Sequence, residues 1–147
     1  MEFKKVTVPV VSRNVLEISV RGKELEIPYI RSGMENPTTL FIPGLTGSVT
    51  MLAQKNVLDL SRLGQGARAM AIDIPPVDGF NPSLALGTEI LRQCVMATGA
   101  KNIIALSAGG AMAINFCLEQ ENMGKLVLVA SAGLGREIYK GFCWMTL

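Results

Sequence analysis

Residues 103–110, Ile-Ile-Ala-Leu-Ser-Ala-Gly-Gly, run an apolar β-type stretch straight into a helical pattern with no loop between them. So abrupt a strand-to-helix step requires small residues at the corner, so that strand and helix can pass close together. Ala105, Ala108, Gly109 and Gly110 meet that requirement. The residue at the corner, Ser107, is then pushed out of the backbone with its hydroxyl exposed, a geometry that suits a nucleophile. The other reading is that Ser107 is an ordinary helix N-cap and the glycines serve close packing.

The rest of the chain places this corner in a repeating order. Lys5 to Val11 alternates weakly and reads as an edge strand. Leu16–Val20 and Leu25–Ile30 flank Arg21-Gly22-Lys23 and read as a hairpin. Gly33 to Pro37 reads as a turn before a short strand over Thr39–Ile42. A helix is expected from about Ser48, with Val49, Leu52, Ala53, Leu60 and Leu63 on one face. Gly64 and Gly66 end it. Ala67–Ile74 is the next strand. A second helix runs from Ser83, its N-cap, to Thr98, closed by Gly99. Asn102–Leu106 is a strand, Ala108 to about Gln120 a helix, and Lys125–Ala130 another strand.

After the N-terminal hairpin, strands and helices therefore alternate. This order makes right-handed crossovers and a mostly parallel sheet with helices on both faces, an α/β fold. The four later strands are continuously apolar, as strands buried on both faces should be. The expected organisation is a single domain over residues 1–147, or part of a larger one.

Composition excludes several function classes. Apolar residues make up 49% and charged residues 18%, enough for a real core. The net charge of +2 comes from scattered basic residues, so no nucleic-acid partner is expected. Cys94, Cys117 and Cys143 lack metal spacing and read as buried thiols of a reducing, cytoplasmic compartment. The N-terminus lacks a signal-peptide core, and the apolar stretch from Ile103 to Leu118 is broken by polar residues and glycines. No membrane association, metal or organic cofactor is implied.

Two further segments could carry chemistry. In Pro43-Gly44-Leu45-Thr46-Gly47 the glycines free a backbone N–H, that of Leu45, to face the serine. Together with the N–H of Ala108 it would form an oxyanion hole, with Gly44 bordering the substrate. The bland reading is an ordinary connection between strand and helix. Asp73, at a strand end, reads more readily as an anchor for backbone N–H groups than as a catalytic acid, because no imidazole exists for it to orient. Asp78 reads as a turn residue, and Met70, Met96 and Met112 as core.

Taken in order, these segments resemble the first half of an α/β-hydrolase. Leu40–Gly47 resembles the family's oxyanion loop, and Ala71–Pro75 the segment ending its fourth strand. Ile104–Gly110 is similar to its nucleophile elbow, and Lys125–Gly135 to its sixth strand and the approach to the lid. The resemblance implies Ser107 as nucleophile, the amides of Leu45 and Ala108 as oxyanion donors, and a small acyl or ester substrate. The chain departs from the pattern at Pro43, where the family has histidine, and at Ala105-Leu106, where it has glycine and often histidine. It contains no histidine at all. In this family the acid and the histidine follow the sixth strand, so the resemblance implies that residues 1–147 are a single, incomplete domain of this kind, and the chain by itself is expected to be inert or nearly so. Two other functions remain open. One is a non-catalytic binding module, suggested by the apolar Pro43 and Leu106. The other is a fragment that self-associates through an exposed Lys125–Ala130 edge.

Overall fold

In the computed structural model the described residues are 14–32, 35–44, 48, 49, 52, 60, 68–77 and 82–132. The expected strand over Lys5–Val11 lies outside them, as does most of the helix expected after Ser48. Six strands, β1 (Asn14–Val20), β2 (Lys23–Arg31), β3 (Thr39–Ile42), β4 (Ala69–Ile72), β5 (Asn102–Leu106) and β6 (Leu126–Val129), form one sheet. Two helices are described, α1 (Leu84–Thr98) and α2 (Ala108–Leu118).

The sheet order is β1-β2-β4-β3-β5-β6. Strand β2 is antiparallel to both β1 and β4, while β3 pairs in parallel with β4 and β5, and β5 with β6. The β1–β2 turn is a two-residue loop with φ of 52° at Arg21 and 76° at Gly22, the positive-φ pair that matches the twist of a hairpin.

Local chemistry sets the helix ends. Ser83 caps α1 by accepting from the Leu86 N–H at 3.3 Å. Gly99 ends α1 with φ 70°, and its N–H donates to the Val95 carbonyl at 2.8 Å. The Arg92 guanidinium binds Glu89 on its own helix and Glu119 at the end of α2, and lies 5.8 Å from the Phe116 ring centre, fastening the two helices together.

Two apolar clusters sit on the sheet. The larger gathers Leu40, Ile42, Ile72 and Ile103 against Ile90, Leu91 and Cys94 of α1 and Phe116 of α2. The second joins Ile30, Ala69 and Ala71 to Val49 and Leu60, with Phe41 packed against it. Leu52 N–H donates to the Ser48 carbonyl at 3.0 Å, one α-helical hydrogen bond in the expected register.

Strand burial corrects one expectation. Only β4 is buried along its whole length. In β3 and β5, buried and half-buried residues alternate, and in β6 half-buried and exposed residues alternate. Strand β6 has one neighbouring strand among the described residues, and Val127 and Val129, which share one of its faces, are near half exposed. An all-apolar run reports the residues available to a strand, not how many layers cover it.

Candidate active site

The corner at Ser107 is sharp. Its φ is 52° and its ψ −121°, a conformation an L-residue adopts only at a cost of about 1–3 kcal/mol. The surrounding backbone enforces it. Ser107 N–H donates to the Val129 carbonyl of β6 at 3.0 Å. Its own carbonyl accepts from the N–H groups of Gly110, at 3.0 Å, and Ala132, at 2.9 Å. Ser107 thus occupies the N-cap position of α2, yet its hydroxyl makes no capping hydrogen bond. In Ser83 the same residue type does cap. The hydroxyl at 107 is left at a half-buried position at the carboxyl end of β5, where ligands of open α/β sheets gather.

The glycines around the corner are each closely approached by neighbouring atoms. A Cβ on Gly44 would lie 3.1 Å from the Ser107 Cβ and 3.4 Å from its Oγ. A Cβ on Gly109 would meet the Pro43 carbonyl oxygen first, then Ile42 Cγ2 at 2.9 Å and the Ile42 carbonyl oxygen at 3.0 Å. A Cβ on Gly110 would overlap the Ser131 hydroxyl. The first turn of α2 is therefore wedged between the ends of β3 and β6. Ala108, buried at the first position of α2, carries one of the N–H groups that a helix cannot satisfy internally. The helix dipole adds partial positive charge there.

Of the residues expected at the site, the structure brings together Ser107, Ala108 and Gly44. Leu45 lies outside the described residues, as does Asp78. Asp73 anchors a segment distant in sequence. Its carboxylate accepts from the Val49 N–H at 2.5 Å and from the Ser48 hydroxyl at 3.0 Å. This link, and the contact between Gly110 and Ser131, were not read from the sequence. A serine shortly after the Pro43–Gly47 segment and an aspartate closing a neighbouring parallel strand are the signals that carry the first of them.

Two clefts among the described residues lie away from Ser107. The larger, about 510 Å³, lies at the amino ends of β3 and β5, beside Thr38, Arg68, Lys101 and Asn102. The smaller, about 150 Å³, lies between the β1–β2 hairpin, Val77 and Leu86.

No family model matches the chain, and no curated protein matches its sequence. Solved structures do match in three dimensions. A carboxylesterase of Bacillus subtilis superposes with a TM-score of 0.60 at 21% identity, over 84% of this chain and 45% of its own. A naproxen esterase of the same organism gives 0.56 at 21% identity, over 83% and 42%. A haloalkane dehalogenase of Agrobacterium tumefaciens gives 0.62 at 14% identity, over 81% and 41%. The fold is that of the α/β-hydrolases. Within it, β1–β6 and the β5–α2 corner form an N-terminal portion, and the chain spans less than half the length of each of these three structures. Among the described residues, no helix of this α/β-hydrolase fold is long and apolar enough to cross a membrane.

Proposed function

We propose that this chain carries the nucleophile half of a serine hydrolase acting on carboxylic esters or thioesters. Ser107 Oγ attacks the substrate carbonyl carbon. The negative charge that develops on the carbonyl oxygen is held by the N–H groups of Ala108 and Leu45, with Gly44 bordering the substrate. Collapse of the tetrahedral intermediate expels the alcohol or thiol and leaves an acyl-Ser107 ester, which water then hydrolyses. The hydroxyl proton has to pass to a base. The sequence contains no histidine, so the imidazole that activates such a serine comes from outside these 147 residues. With donors alone, acceleration over water is limited to about 10³–10⁴.

The observation that carries this reading is the conformation of Ser107. A strained residue at a strand-to-helix corner, with its hydroxyl outside any cap and Gly44 against its side chain, is costly as packing and useful for attack. The similarity to a carboxylesterase and a naproxen esterase supports the ester class.

The test is labelling of the full chain with a fluorophosphonate, mapped by mass spectrometry. Slow labelling confined to Ser107 and lost in Ser107→Ala is expected. Label spread over other hydroxyls at equal rates refutes the nucleophile assignment. Rapid labelling, lost in Ser107→Ala, refutes the dependence on an external base.

A further inference from the structure

Asp73 closes β4, whereas Ser107 closes β5, with β3 between them in the sheet. The Asp73 carboxylate reaches across to the chain that leaves β3. One oxygen accepts from the Val49 N–H at 2.5 Å and the other from the Ser48 hydroxyl at 3.0 Å. The carboxylate is itself steadied, because the Asp73 N–H donates to the Pro28 carbonyl of β2 at 2.8 Å. Val49 is fully buried in the cluster with Ile30, Ala69 and Ala71, so the segment cannot slide without exposing that side chain. Ser48 lies four residues after Gly44, the residue packed against the Ser107 side chain. The connection leaving β3 is therefore held at one end by the packing of Gly44 and Gly109 around the serine corner. At the other end it is held by a charge-assisted pair of hydrogen bonds.

We propose that Asp73 is a positioning residue for the Ser107 site: by holding Ser48 and Val49, it fixes how the chain after β3 approaches the serine. This rests on the reading of Ser107 as nucleophile. An anchor that only stabilised the fold could sit anywhere along β4. This one acts on Ser48 and Val49, which follow closely in sequence on Gly44, the residue packed against the Ser107 side chain. Charge-assisted hydrogen bonds are the stronger class, and a carboxylate offers both acceptors without requiring a proton of its own. A misplacement of about 1 Å at such a site can slow the reaction up to about 100-fold.

The experiment uses the full chain as wild type, Asp73→Ala, Asp73→Asn and Ser83→Ala. The last removes the α1 cap and serves as a purely structural control. Three quantities are read: fluorophosphonate labelling rate at Ser107, hydrogen exchange at the Val49 amide, and Tm. In Asp73→Ala, faster exchange at Val49 and labelling slowed about 10- to 100-fold are expected. In Asp73→Asn, whose amide can accept from Val49 and donate to Ser48, most of the rate should return. Ser83→Ala should lower Tm without slowing labelling. Labelling of Asp73→Ala at the wild-type rate, or slowing by Ser83→Ala to the same degree, overturns the positioning role. Should Asp73→Ala fail to fold, the milder Ser48→Ala, which removes one of the two bonds, is read in its place. If wild type takes no label at Ser107, the nucleophile reading falls. The Asp73 hold is then still judged by Val49 exchange, and unchanged exchange in Asp73→Ala overturns it.

Discussion

Replacing Gly109 by alanine isolates the packing that makes the serine corner possible. The added Cβ would be driven into the Pro43 carbonyl oxygen, with Ile42 Cγ2 at 2.9 Å and the Ile42 carbonyl oxygen at 3.0 Å. Two of these three neighbours are backbone atoms of the last turn out of β3, so no rotamer change relieves them. Overpacking in ordinary cores costs about 1–3 kcal/mol, and rigid backbone neighbours place this substitution at the upper end, about 3 kcal/mol. Alanine regains about 1 kcal/mol of helix propensity over glycine. The net loss of about 2 kcal/mol corresponds to a fall in Tm of about 4–8 °C for a chain of this size. Gly87→Ala is the matched control. Its Cβ would meet Met112 Cε at 2.6 Å and Sδ at 2.7 Å, the far end of a flexible side chain that can turn away. The same helix-propensity gain then leaves it within about 1 kcal/mol of wild type. Thermal melts followed by circular dichroism on both variants decide the matter. A Gly109→Ala protein as stable as Gly87→Ala would mean that the Pro43–Gly109 approach is not tight. The account of why the corner needs glycine would then fail.

Ser107→Gly should raise stability by about 1 kcal/mol in urea unfolding, because relief of about 1–3 kcal/mol of backbone strain exceeds the added freedom of the unfolded chain; a less stable variant would show that the corner is not strained. Burial pushes the Cys94 thiol up to about 12. The neutral thiol is thus favoured in the fold, and its stabilising contribution is whole below the unfolded pKa, about 8.5, and declines as pH rises from there toward 12. Cys94→Ala should flatten that alkaline decline in melts taken from pH 8 upward, and a parallel decline in the variant would assign the loss to other groups.

Much of the fold was legible because its signals are local. Strands β3 and β5 fall on the expected residues, Thr39–Ile42 and Asn102–Leu106. They are short apolar runs with polar or proline punctuation. Ser83 and Gly99 mark the ends of α1 because a capping hydroxyl and a left-handed terminus are properties of single residues. The corner at Ser107 was legible for the same reason. Sheet order was not legible, since nothing in the pattern of β4 states that it lies between β2 and β3. Nor was the reach of Asp73 to Ser48 and Val49, a partner choice made across 24–25 residues. Strand β4 was expected over Ala67–Ile74 and is observed over Ala69–Ile72, and α2 ends at Leu118 rather than Gln120. The residues beyond these ends, Arg68 and Asp73 around β4 and Glu119-Gln120 after α2, are polar, and the N–H groups of Glu119 and Gln120 bond back to the Phe116 and Cys117 carbonyls in a tighter turn.

The serine corner and the proton-transfer machinery are physically separable in this fold. Three backbone hydrogen bonds, to Val129, Gly110 and Ala132, fix Ser107 without using any side chain. The tight approaches of Gly44 and Gly109 to neighbouring chain involve glycines and β3. None of these interactions requires an imidazole, so the corner forms without any histidine in these 147 residues. The scaffold fixes only where the residue at the corner points. Structures described as a carboxylesterase and as a haloalkane dehalogenase superpose on the same chain, so the fold does not select the chemistry. The proposal of acyl transfer therefore rests on the hydroxyl of Ser107 at the corner and not on the fold. Restoring a base to this geometry, from whatever polypeptide supplies it, should therefore raise the reactivity of Ser107 without any rearrangement of β5 or α2.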